Sequence, residues 1–93
     1  MGPEQLSKII SIVHSIADKL VDDAGSLQVF LRPDGVTIQV LVGERDLGKL
    51  IGKAGKTSHS LRTLIDAMTM QTGGRDVRLR LDLGVLPRSA AAE

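Results

Sequence analysis

Gly52, Lys53, Ala54 and Gly55 set two glycines three residues apart with a lysine between them, and Lys49 and Lys56 stand close on either side. Paired glycines let a backbone turn tightly and let another chain approach with no Cβ in the way. The lysines supply positive charge at the same point, which suits a sugar-phosphate backbone held by ammonium groups and main-chain amides. A bare Gly-x-x-Gly arises often by chance, so the reading depends on its surroundings. A plain turn between two helices would account for the glycines. It would not explain three lysines on one short segment, where mutual repulsion favours an anion between them.

Charge is distributed unevenly along the chain. The formal net charge is only +1, yet residues 45–62 carry Arg45, Lys49, Lys53, Lys56 and Arg62 against Asp46 alone. A local basic patch on a near-neutral domain is the footprint of a polyanion site rather than of a basic coat. Gly55-Lys56-Thr57 also resembles the end of a Walker A loop, but that motif needs a glycine at position 50, where Leu50 stands. Nothing points to catalysis: no Ser/His/Asp or Cys/His set is evident, and the carboxylates are scattered. His14 and His59 read as solvated helix residues, so neither a metal nor a cofactor is expected. With no cysteine there is no disulfide framework, which fits a cytoplasmic setting, and no apolar run is long enough to span a bilayer. Phe30 is the single aromatic, which excludes modes of nucleic-acid binding that stack bases on several exposed rings.

The elements that must position the loop are legible from periodicity. Leu6, Ile9, Ile10, Val13, Ile16, Ala17 and Leu20 recur at helical spacing, with Pro3 suited to the first turn and Asp22-Asp23-Ala24-Gly25 as the stop. Leu27, Val29 and Leu31 alternate with polar or exposed positions, Pro33-Asp34-Gly35 marks a turn, and Val36, Ile38, Val40 and Val42 alternate again. These predict a hairpin with one face on a core, leaving Phe30 and Leu41 on the other face. Leu47, Leu50 and Ile51 share a short helical face before the glycine loop. Leu61, Leu64, Ile65 and Met68 make a second amphipathic helix ending near Gly73-Gly74, with Thr57 or Ser58 expected as its N-cap. Val77, Leu79, Leu81 and Leu83 then alternate as a third strand. The expectation is one domain over residues 1–93, with a core at about 4–83 and a flexible tail over 84–93.

The run Asp46-Leu47-Gly48-Lys49-Leu50-Ile51-Gly52-Lys53-Ala54-Gly55-Lys56-Thr57, followed by Leu61-Arg62-Thr63-Leu64, resembles the small bacterial single-KH proteins of the KhpA family. That resemblance implies an α+β, type II KH domain of order α-β-β-α-α-β, with a three-stranded mixed sheet carrying three helices on one face. It implies an RNA-binding protein without enzymatic activity, a post-transcriptional regulator or RNA chaperone, clamping about four nucleotides of single-stranded RNA. Gly52, Lys53, Ala54 and Gly55 would meet the phosphates, with Lys49 and Lys56 supporting from the flanks. Leu47, Leu50 and Ile51 would line one wall of the groove, and the strand from about Val77 to Leu81 the other. The implied partners are a second copy or the larger KH protein KhpB, and no membrane. The alternative is a degenerate KH domain acting mainly in dimerisation, against which the retained glycines and Lys53 argue.

Overall fold

In a computed structural model, residues 2–71 and 79–87 are described. The chain begins with helix α1 (Pro3–Leu20), whose Pro3 sits in the first turn, where a missing N–H costs nothing. Ile9, Val13 and Ala17 recur every fourth residue and form its buried stripe. Val21 closes the helix in an extended conformation, its amide donating to the Ala17 carbonyl at 3.1 Å. A single 3-10 turn over Ala24–Ser26 then leads into the first strand.

Strands β1 (Gln28–Leu31) and β2 (Thr37–Val42) pair antiparallel, with Gln28 opposite Leu41 and Leu31 opposite Ile38. The turn between them is built on Asp34. Its Oδ1 accepts the amides of Val36 and Thr37 at 2.9 Å, and its Oδ2 accepts the Thr37 hydroxyl at 2.7 Å. These bonds favour the carboxylate, the Thr37 hydroxyl most, and hold the Asp34 pKa below its ordinary value. Gly35 takes a φ of 77°, open to glycine without strain.

Strand β3 (Arg80–Val85) lies on the other side of β2 and runs parallel to it, with Thr37 opposite Arg80 and Val42 opposite Val85. Two parallel neighbours need a crossover. Here that crossover is helix α2 (Leu47–Ile51), a 3-10 turn (Lys53–Gly55) and helix α3 (Lys56–Gln71). The glycine loop therefore sits in the middle of the connection that joins the central strand to an edge strand.

The strand does not stop at residue 83. Val85 pairs with Val42, and the Leu86 amide donates to the Val42 carbonyl at 2.9 Å, so residues 84–86 belong to the fold rather than to a tail. Gly84 lies against Leu41, where a Cβ would come within 3.2 Å of Leu41 Cδ2. Val77, Arg78, the Gly73-Gly74 helix end and residues 88–93 lie outside the described residues.

One continuous core joins the three helices to one face of the sheet. Its largest fully buried side chains are Ile38, Leu50, Ile65, Val13, Val40 and Val42. Full burial of each such group is worth about 1.5–3 kcal/mol. The opposite face carries Phe30, 40% exposed, beside half-buried Leu41, as the alternation predicts. Gln39, buried on that polar face, accepts from Arg32 Nε at 2.7 Å, and its amide donates to the Asp82 carbonyl at 3.1 Å. Arg32 also pairs with Asp82, tying all three strands together across the sheet.

Candidate functional site

The site is held from behind by Asp46, the residue before α2. Its side chain is buried and accepts the amides of Asp22 and Asp23 at 3.0 and 3.1 Å. Those two bonds, with Lys49 close by, hold the Asp46 pKa below its ordinary value. The end of α1 is thereby fastened to the start of α2. Periodicity gave no sign of this role, because a lone Asp in a basic segment looks like a solvated charge. An Asp immediately ahead of a short helix was the available signal.

The five residues of α2 divide between core and surface. Leu50 is 0% exposed and lies in the core, so it does not line a groove wall; it supports the loop from below. Leu47 is half-buried, whereas Ile51 is 40% exposed. Lys49 departs from expectation more sharply. Its ammonium pairs with Asp22 and lies 3.6 Å from Asp46, so the lysine faces the end of α1 and its charge is already answered. The hydrogen bond to Asp22, aided by both carboxylate charges, raises its pKa. Lysines converge on the loop as a pair, not as three.

The loop itself is an uncommon run of backbone conformations. Gly52 ends α2 with φ 77° and ψ 172°, its amide donating to the Gly48 carbonyl at 2.9 Å. Ala54 is left-handed at φ 56° and ψ 27°, and Gly55 follows at φ 73°. Ala54 is the one described non-glycine residue at positive φ, a conformation L-residues adopt at a cost of about 1–2 kcal/mol. The two glycines serve different ends. A Cβ on Gly52 would lie 2.7 Å from Thr57 Cβ and 2.9 Å from the Thr57 backbone nitrogen, so the loop closes only over a bare Cα. Gly55 has room for a side chain and is needed for its φ alone.

Helix α3 starts at Lys56, directly from the loop, so neither Thr57 nor Ser58 caps it. Thr57 wedges under Gly52, and the buried Ser58 hydroxyl donates back to the Gly55 carbonyl at 3.1 Å. The first amides of α3 carry the partial positive charge of a helix start. Lys53, Ala54 and Lys56 are exposed, and neither lysine makes an ion pair among the described residues. The arrangement offers two open ammonium groups and a glycine-backed main chain to an extended anion. Among the described residues no group of three or more His, Cys, Asp or Glu could hold a metal, and no helix is long and apolar enough to cross a membrane.

The family model for the KH domain of KhpA and KhpB matches residues 11–81, which include every element described from the middle of α1 to the start of β3. RNA-binding protein KhpA of Mycobacterium tuberculosis is 34% identical over 73 residues, covering 76% of this chain and 86% of the relative. The protein of the same name in Streptomyces coelicolor is 41% identical over 64 residues, 67% of this chain and 76% of the relative. That of Halalkalibacterium halodurans is 35% identical over 75 residues, 78% and 95% respectively. No solved structure gives a significant match.

Proposed function

The chain belongs to the KhpA/KhpB family of KH-domain proteins, and from that premise we propose that it binds single-stranded RNA through the loop Gly52–Gly55. The observation that carries this reading is the loop's geometry: three positive-φ residues in four, closed over Thr57, with Lys53 and Lys56 making no ion pair among the described residues. A strand of about four nucleotides would lay its phosphates on Lys53, Ala54, Gly55 and Lys56, with Ile51 beside it. Gly52 shapes the loop, Leu50 supports it, and Lys49 fastens it to α1. The role is binding, as in a post-transcriptional regulator or RNA chaperone, and not catalysis.

Anisotropy titration of a labelled oligouridylate and of the same length of duplex, each at two salt concentrations, tests the proposal. Binding should favour the single strand and weaken with salt, with a log–log slope of about −0.7 per phosphate neutralised. Salt-indifferent binding, or equal binding of duplex, would reject it.

A second reading is pairing with another copy or with a larger KH protein of the family. It is favoured by a groove between α1 and α3 whose apolar lining is Ile16, Leu20, Leu61 and Leu64, with Lys56, Thr57 and Ser60 also lining it. Sedimentation showing only monomer at high micromolar concentration would remove self-pairing.

A further inference from the structure

The two edges of the sheet are guarded differently. Strand order is β1-β2-β3, so β1 and β3 are both edges. A free edge is a template for another strand, and proteins blunt it with charge, proline, a bulge or a cover. The β3 edge carries Arg80 and Asp82. The β1 edge, Gln28-Val29-Phe30-Leu31, has neither charge nor proline, and its register with β2 is unbroken. Among the described residues no strand pairs with its outer side.

Main-chain direction makes that edge specific. The Arg32 amide donates to the Thr37 carbonyl at 2.8 Å, so Arg32 points its N–H at β2. Alternation along an antiparallel strand then turns Phe30 and Gln28 toward β2, and the N–H and C=O of Val29 and Leu31 outward. Val29 and Leu31 are half-buried, whereas their partners on β2, Val40 and Ile38, are 1% and 0% exposed, as befits an open flank. Phe30 stands exposed on the sheet face away from the helices.

We propose that β1 pairs antiparallel with β1 of a second copy about a two-fold axis at Phe30, making one six-stranded sheet with the helices of both copies on one face. The inference rests on the self-pairing reading above and moves the seam from the groove between α1 and α3 to this edge. A second copy fits because the segment is complementary to itself in this register. Val29 lies opposite Leu31 of the second copy and Leu31 opposite its Val29, and these are the residues whose N–H and C=O face outward, so four main-chain bonds form. Phe30 meets Phe30 of the second copy as a non-hydrogen-bonded pair, Cα atoms about 4.5 Å apart, close enough for the rings to pack. Gln28 lies opposite Arg32, so no like charges meet across the seam. Pro33 ends the ladder, having no N–H to give. The pairing is isologous and leaves only the charged β3 edges outside, so assembly stops at two. The crossover that carries the glycine loop joins β2 to β3 and stays clear of the seam. Four bonds, at about one per 100–200 Å², imply roughly 400–800 Å² buried, below the ~1,200 Å² of stable interfaces. The dimer is therefore weak, with a dissociation constant on the order of 10⁻⁴ M.

Sedimentation equilibrium of the full chain, from about a tenth of that value to about ten times it, tests the seam. The parent should dimerise reversibly. Phe30→Lys sets two ammonium groups against each other at the axis, and Val29→Pro removes a donor that faces outward in the monomer. Each should weaken self-association at least about tenfold while keeping a folded circular-dichroism spectrum. Leu64→Lys, in the groove between α1 and α3, should leave it within about twofold. The chain has no cysteine of its own, so introduced ones report the register. Phe30→Cys should give a disulfide-linked dimer on mild oxidation, its two Cα atoms lying within the about 4.4–6.8 Å that a disulfide spans. Gln28→Cys sets them four residues out of step, about 13 Å apart, and should cross-link at least about tenfold more slowly. If Val29→Pro misfolds, Phe30→Lys and the cysteine pair still decide. Monomer at every concentration removes self-pairing and this seam with it. A dimer that survives Phe30→Lys and Val29→Pro, or equal cross-linking of the two cysteine variants, overturns the seam and leaves self-pairing standing.

Discussion

Replacing Lys53 and Ala54 together by Asp should abolish RNA binding and spare the fold. Both side chains are exposed and Lys53 has no ion pair to lose among the described residues. Ala54 already occupies the left-handed region, where Asp is among the better-tolerated residues, so the change adds no backbone strain. Stability should shift by no more than about 0.5 kcal/mol. For a domain of this size that is a change in Tm of roughly 2–4 °C. The electrostatic effect is much larger. Removing one positive charge and adding two negative ones takes the formal net charge from +1 to −2, with the whole change at the loop tip. A unit pair about 4 Å apart near a protein surface interacts by about 4 kcal/mol before salt is considered. Even a third of that per carboxylate weakens binding about tenfold, so two carboxylates and a lost ammonium should cost at least about a hundredfold. Anisotropy against a labelled hexauridylate, with circular-dichroism melts on the same samples, reads both quantities. Affinity within threefold of the parent at an unchanged Tm would mean that the loop is not the site.

The two loop glycines should fail differently. Gly52→Ala must push against the Thr57 backbone in a region of φ and ψ that only glycine adopts readily, and should cost about 3 kcal/mol or more. Gly55→Ala, with room for its methyl, should cost about 1–2 kcal/mol; equal losses in urea melts would contradict the Thr57 contact. Leu50→Ala should cost about 2–5 kcal/mol as a core truncation, whereas a groove-wall residue would lose RNA affinity at nearly full stability. Lys53→Met should flatten the salt dependence of binding by a slope of about 0.7, and Lys49→Met should leave it unchanged. Asp34 and Asp46 have folded-state pKa values below their unfolded ones, so the unfolded chain takes up protons first. Their contribution is complete above an unfolded value of about 3.9 and is lost as pH falls through the depressed folded values. Asp46→Asn should therefore flatten the acid limb of a stability–pH curve, and a limb as steep as the parent's would refute the assignment.

Most of the scaffold was legible because its signals are local. The every-fourth-residue stripe of α1 and the alternation of β1 and β2 each follow from burying one face, and periodicity reports burial directly. The short helix was harder. Over five residues the pattern marks Leu47, Leu50 and Ile51 alike as apolar, yet only Leu50 is fully buried and Ile51 stands well into solvent. Deciding among them needs the direction from which the core approaches. Lys49 shows the same limit for charge. Proximity in sequence placed it with Lys53 and Lys56, but its partner Asp22 lies 27 residues away and no local pattern contains that pairing. Neighbours along a chain are a fair guide to shared faces, and a poor one to which charges remain unanswered.

If the loop is the RNA site proposed above, the places of Lys49 and Leu50 make it a better binder than three converging lysines would. An extended anion gains most from a surface that need not be ordered on contact, since immobilising each flexible side chain costs about 0.5–1.5 kcal/mol. Asp46 holds the start of α2 through the backbone of Asp22 and Asp23, Leu50 anchors its middle in the core, and Thr57 closes against Gly52 at its end. Three independent supports on a segment of a dozen residues leave the main chain of Lys53 to Gly55 little freedom to lose. That rigidity is also what keeps Ala54 left-handed, since an unsupported loop would relax an L-residue out of that region. Lys49, paired at the α1 junction, adds no open charge to the loop but helps to fix the platform on which Lys53 and Lys56 stand. Two lysines on a fixed backbone suit a site that would track phosphates over a few nucleotides.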